Sequence, residues 1–228
     1  MSSPVSSTPE RNVARIAFVY FAVLLVAWSG AWLLYAWLRE QNALFNQPLN
    51  RFLYWLVMRV LLWVVPSLKL IRLSGRGVRE VLGFDRARAI LLWGGITGLI
   101  WGGRAPLFQW LAGRPLHPIV FDWSFVTAVI YVPLVEEITF RGAIMGALQT
   151  RMNFAPSNLI TGVLFLLIHF PSWYFEGVFA SGLMSSSSAV LGILLLGFLF
   201  GYVSHRSKSV AAATLSHMLN NLFQRFVN

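Results

Sequence analysis

Val135-Glu136-Glu137-Ile138-Thr139-Phe140-Arg141 places two carboxylates and a guanidinium inside an apolar run that otherwise reads as membrane-spanning helix. Even lenient insertion scales put a charged side chain near the bilayer centre at about 3 kcal/mol or more. Three such groups within one short stretch therefore need partners, and they need an interior to face. The stretch predicts a bundle of helices around a polar centre. Two further sites put polar groups inside apolar helix, at His169 and at His217 with Asn221.

The remaining composition agrees with that environment. The 228 residues are 57% hydrophobic and 11% charged, with mean hydropathy +0.66, whereas soluble domains carry about 25% charged residues. The expected fold class is all-α, a polytopic helical membrane protein forming one membrane domain. A polar leader (residues 1–12) precedes N-terminal helices (13–118) and a C-terminal core (119–228) that holds the three polar sites. The formal charge of +10 would suggest nucleic acid in a soluble protein. Here it suits short loops facing anionic lipid headgroups, and no nucleic-acid partner is expected. The absence of cysteine excludes disulfides, thiolate metal sites and a cysteine nucleophile.

Seven spans are predicted: Val13–Leu38, Phe52–Leu70, Ile90–Leu111, Val120–Leu148, Ser157–His169, Ala189–Ser204 and Val210–Phe226. The first is too long for a signal-peptide core of about 7–15 residues, and Trp28, Trp32, Tyr35 and Trp37 read as an aromatic belt at its end. The basic segment from Lys69 to Arg88 is too charged to cross and is expected to lie on the membrane surface. Gly94, Gly98 and Gly102 form a small-residue ridge for close helix approach. Ser181 and Ser185–Ser188 read as a flexible loop. With the N-terminus cytoplasmic, twelve basic residues including Arg141 fall inside and five outside, and Arg59 within the second span completes the 18. The expected location is the cell (inner) membrane of a prokaryote.

At the rise of an α-helix, Glu136 and His169 lie about 18 Å, and His217 about 12 Å, from the cytoplasmic ends of their spans. Polar sites on separate helices at similar depth suit a shared wetted cavity better than lipid. Glu137 and Arg141 are four apart and suited to an ion pair. Glu136 and Arg141, five apart, diverge by roughly 140° on an α-helix. Glu136 is therefore expected to lack a local counter-ion and to serve as general base, with Glu137 and Arg141 as its structural brace. His169 is placed to orient the attacking water. His217 and Asn221 share a face, with Asn220 beside them, and supply donors suited to an oxyanion.

Other candidates weigh less. Thr139, Thr161, Thr214 and Ser216 lie within spans, but none sits in a nucleophile-elbow sequence. His117 and His205 fall at span ends and read as interfacial. Arg59 is expected to snorkel from the outer half of its span, the alternative being a second buried partner for Glu136.

The motifs Glu136-Glu137-xxx-Arg141, Phe165-xxx-His169 and His217-xxx-Asn221 together resemble the CPBP family. This family comprises type II CaaX prenyl endopeptidases and Abi-type bacteriocin-processing or self-immunity proteins. The resemblance covers the half of the chain from the fourth span onward. It implies an intramembrane endopeptidase in which Glu136 and His169 activate water and His217 and Asn221 form the oxyanion site, with Phe165 in support. The substrates it implies are membrane-associated or lipidated, CaaX-like peptides or proteins. No cofactor is expected. The alternative is a zinc enzyme with Glu136, His169 and His217 as ligands, since a His₂Glu set leaves one position open. Two non-enzymatic readings also stand, a proton-coupled carrier and an immunity or interaction protein.

Overall fold

The computed structural model describes residues 9–179 and 187–227, and the side chains of 12–179 and 190–227. Ser181, Ser185 and most of the polar leader lie outside the described residues, while Ser187 and Ser188 begin a helix. Among the described residues the chain is helical with no strand. Seven long rods account for most of it. They are α1 (Pro9–Gln41), α2 (48–73), α4 (87–111), α5 (Trp123–Leu148), α6 (Phe154–Leu167) extended by α7 (Phe170–Phe175), α8 (Ser187–Ser207) and α9 (Val210–Gln224). A short helix α3 (Val78–Leu82) sits between α2 and α4.

Four of these stretches, Asn12–Gln41, Trp123–Leu148, Phe154–Phe175 and Val190–Ser207, are long and apolar enough to cross a membrane by length and composition. The other three of the seven predicted spans are helical but differ in character. Helix α2 carries Arg51, Arg59, Lys69 and Arg72, α4 carries Arg88 and Arg104, and α9 is only 15 residues long. The protein is a helical membrane protein, with two charged rods and one short rod packed among its apolar ones.

Contacts at the rod ends place α4 and α9 parallel to each other and α5 antiparallel to both. At one end Ser209 Oγ donates to the Leu82 and Gly83 carbonyls, and Arg86 Nη1 to the Lys208 carbonyl. At the other, Arg225 Nη2 bonds Ser124 Oγ, and the His117 amide donates to the Phe226 carbonyl. The segment from Lys69 to Arg88 is thus clamped to the bundle rather than laid out on the surface. Its Arg76 crosses the face of Gly146 and donates to the Gly142 carbonyl, and Gly83 (φ 61°) turns the chain so closely past Ser209 that a Cβ would collide with it. A left-handed turn this tight is where glycine is required.

The glycine ridge packs as expected. Any Cβ at Gly94, Gly98 or Gly102 would strike α9, at Ala212, Leu219 and Asn220 respectively. Backbones brought this close gain dispersion contacts that larger side chains would prevent.

The aromatic belt is overturned. Trp28, Trp32 and Tyr35 are buried, and only Trp37 is exposed. Trp28 and Trp32 pack on Trp55 of α2 with ring centroids 5.1 and 4.3 Å apart, and Trp28 also meets Trp63. Aromatics suit an interface, but their area also makes them core material when a partner helix offers matching rings. Here α2 does. A second link ties α1, α2 and α5, running from Tyr20 through Ser67 Oγ to Thr139 Oγ1, each step 3.1 Å. Thr139 is fully buried in that link.

Candidate active site

Helix α5 is not uniformly α. Asp122 caps its start, its carboxylate accepting from the Phe125 amide and Ser124 Oγ, and these bonds hold its carboxyl below the usual range. Two π-helical stretches, Val126–Tyr131 and Ile138–Met145, flank the α-turns that hold Pro133, Glu136 and Glu137. Such widened turns recur at functional sites. In the first stretch the Val132 amide bonds the Thr127 carbonyl, five residues back. The next donor in that ladder would be residue 133, a proline without an N–H. The Ala128 carbonyl it leaves free accepts instead from Asn221 Nδ2 at 2.8 Å. Asn221 thus mends a backbone gap made by Pro133, and its Oδ1 accepts from Asn220.

The two glutamates part as the sequence suggests, for a reason it did not contain. Glu137 is fully buried, and its Oε1 accepts from Arg141 Nη1 at 3.1 Å and from His217 Nδ1 at 2.9 Å. Arg141 also donates to the Gly197 carbonyl of α8 at 2.8 Å and lies over the Phe165 ring. The Glu137–Arg141 pair therefore joins α5, α8 and α9. The 140° divergence expected between Glu136 and Arg141 assumed an α-helix, and π winding begins at residue 138. The pairing is settled instead by His217 and Gly197, which hold Glu137 and Arg141 from outside the helix. Arg141, expected among the cytoplasmic charges, is buried, which leaves the inside excess at eleven to five.

Glu136 is also buried, yet it makes no hydrogen bond or ion pair among the described residues. It lines a chamber of about 220 Å³ with His169, Arg59 and the rings of Trp28, Trp32 and Trp63. That is room for several waters beside polar partners. His169 Nδ1 donates to the Phe165 carbonyl at 2.7 Å, so the neutral ring keeps its lone pair on Nε2. Glu176, just past the Phe154–Phe175 span, lines the chamber too, and burial raises its carboxyl. The chamber shares Trp32, Arg59 and Glu176 with a vestibule of about 490 Å³, also lined by Asn46, Asp122 and Arg225. The vestibule thus lies at the end of the bundle opposite the basic loops.

His217 and Asn221 are brought to the same region but not to the chamber wall. His217 stacks on Phe200 at 4.5 Å, and Phe165 presents an edge to both His169 and His217. With Nδ1–H on Glu137, neutral His217 offers a lone pair at Nε2, so it can donate to an oxyanion only as imidazolium. Asn221 keeps one free N–H after bonding Ala128. The zinc alternative needs Glu136, His169 and His217 within reach of one ion. Among the described residues no three His, Asp or Glu side chains are so grouped, so this donor set does not fit zinc as arranged.

The snorkelling reading of Arg59 is overturned. Its guanidinium lies over Trp28 at 4.9 Å and Trp55 at 5.7 Å and turns into the chamber. The tryptophans of α1 and α2 offer a cation–π surface inside the bundle, so the side chain has no need to reach for headgroups. Sequence reasoning also missed Gly197, Phe200 and Glu176, whose parts depend on contacts between distant segments. Of the hydroxyl candidates, Thr161 and Thr214 bond carbonyls of their own helices, and Ser216 is fully buried off the chamber wall.

Fold and site together define a helical membrane protein with a carboxylate–imidazole chamber in its interior. Residues 118–223, just under half of the chain, match the family model for type II CAAX prenyl endopeptidase Rce1-like proteins, and the resemblance drawn from the three motifs is borne out. The chain is 28% identical over 98 residues to a Bacillus subtilis protein named "Putative membrane peptidase YdiL", covering 43% of this chain and 34% of that one. It is 26% identical over 149 residues to CAAX prenyl protease 2 of Methanococcus maripaludis, covering 61% of this chain and 53% of that one. The chain thus spans about a third and about half the lengths of these two relatives. No solved structure matches it with significance.

Proposed function

We propose that this chain is an intramembrane endopeptidase that hydrolyses peptide bonds of membrane-associated or lipidated, CaaX-like substrates. The observation that carries the reading is the contrast between neighbouring glutamates. Glu137 is held through Oε1 by Arg141 and His217, while Glu136 has no hydrogen bond or ion pair among the described residues and lines the chamber with His169. Glu136 takes a proton from water, His169 Nε2 orients that water, and the hydroxide adds to the peptide carbonyl. His217 and Asn221, in the same region but off the chamber wall, are the residues we assign as oxyanion donors, Asn221 through its remaining N–H, for a substrate carbonyl that reaches past the chamber. As the C–N bond breaks, Glu136 returns the proton to the leaving amine. No step passes through a metal.

The basic end is read as cytoplasmic, contacting anionic headgroups in the cell membrane of a prokaryote. In that orientation the vestibule opens on the outer face. The test is mass spectrometry of membrane-protein termini from cells expressing wild type or Glu136→Gln at matched levels. New termini lost in the variant are expected. Identical termini would leave the carrier or immunity readings.

A further inference from the structure

We propose, resting on the peptidase reading above, that Arg59 is a specificity residue that anchors the free C-terminal carboxylate of the substrate. Four observations lead there. Arg59 forms part of both the chamber that holds Glu136 and the vestibule that leads to it, so it stands where the two meet. Its guanidinium is fixed from behind by the faces of Trp28 and Trp55. It makes no hydrogen bond or ion pair among the described residues, and its Nε is buried without a partner. The other two vestibule arginines differ: Arg225 is bonded to Ser124, and Arg51 is exposed.

Arg59 is half-buried, and its Nε has no partner, so the guanidinium meets the cavity with donors that no protein group uses. Its planar fork matches a carboxylate, which it can bind through two parallel bonds. Glu136 and Glu176 line the same space, and the Glu136 charge attracts the guanidinium, but neither acid forms a contact ion pair with it. The anion that every peptide brings is its C-terminal carboxylate. At about 3.5 Å per extended residue, an anchor at the chamber mouth confines the cut to the last few residues. The chain would then act on chain ends rather than on internal loops.

The test uses the full chain in nanodiscs carrying Glu136→Gln to prevent turnover. The probes are an S-farnesylated hexapeptide with a free C-terminal carboxylate and the same peptide as its C-terminal amide. Binding is read by quenching of the chamber tryptophans. The acid should bind roughly 10- to 100-fold more tightly than the amide, as charge-assisted hydrogen bonds imply. Arg59→Gln should abolish that ratio and Arg59→Lys should restore part of it, at unchanged thermal stability for the Lys variant. Equal binding of acid and amide, a preference that survives Arg59→Gln, or no binding of either peptide would overturn the proposal. Hydrolysis by the wild-type chain is followed separately. If the acid preference is found without hydrolysis, the anchor stands and the peptidase reading fails.

Discussion

His217 Nδ1 lies 2.9 Å from Glu137 Oε1, the same oxygen that accepts from Arg141. One fully buried carboxylate thus holds a cation on its own helix and an imidazole on another. Removing it would leave a buried guanidinium without its counter-ion, a defect worth about 3–5 kcal/mol. Glu137→Ala should therefore lower the melting temperature in detergent sharply, whereas Glu136→Gln should leave it nearly unchanged. Equal stability of the two variants would contradict the division of labour between the glutamates.

The bond from Asn221 to Ala128 predicts a coupling with Pro133. Asn221→Ala should cost about 1 kcal/mol by leaving the part-buried Ala128 carbonyl without its side-chain donor. In a Pro133→Ala background the restored backbone N–H can serve that carbonyl, so the same substitution should cost less. A double-mutant cycle followed by thermal unfolding measures the difference. Additive costs would mean that the proline does not create the gap.

On α4, Gly98 meets Leu219 and Ser216 of α9, whereas a Cβ at Gly103 would meet nothing within 4 Å. Gly98→Val should destabilise by about 1–3 kcal/mol through overpacking. Gly103→Ala should be neutral or stabilising by up to about 1 kcal/mol, the difference in helix propensity. Chemical denaturation in mild detergent compares them.

The chain has no native cysteine, so single-cysteine labelling reports topology without background. With the N-terminus inside, Ser74→Cys should be protected from an impermeant maleimide added to intact cells, and Asn46→Cys at the vestibule should be labelled. The reverse pattern would place the vestibule on the cytoplasmic side.

The candidate residues were legible where a polar residue stood out against apolar helix, which is why Glu136, Glu137, Arg141, His169, His217 and Asn221 could be singled out from spacing. The structure brings them to one region of the bundle. The pairing of Glu137 with Arg141 was also local, being four residues apart. What spacing cannot carry is a partner from a distant helix. The grip of His217 on Glu137 and of Asn221 on Ala128 spans 80 and 93 residues. The Trp residues of α1 misled for a related reason. An aromatic near the end of an apolar span suits an interface and a core equally, and only the facing rings of α2 decide between them. Arg59 follows from the same rings, since a cation looks destined for headgroups until an aromatic wall is found beside it.

The central claim is that Glu136 does the chemistry and Glu137 holds the frame. It is tested most directly by single-turnover hydrolysis of the farnesylated peptide by purified wild type and Glu136→Gln, with and without a metal chelator, at equal folded fraction. The account predicts that the wild type cleaves with or without chelator and that Glu136→Gln is slower by at least about 100-fold, the scale of general-base catalysis. Cleavage by Glu136→Gln at the wild-type rate would contradict it.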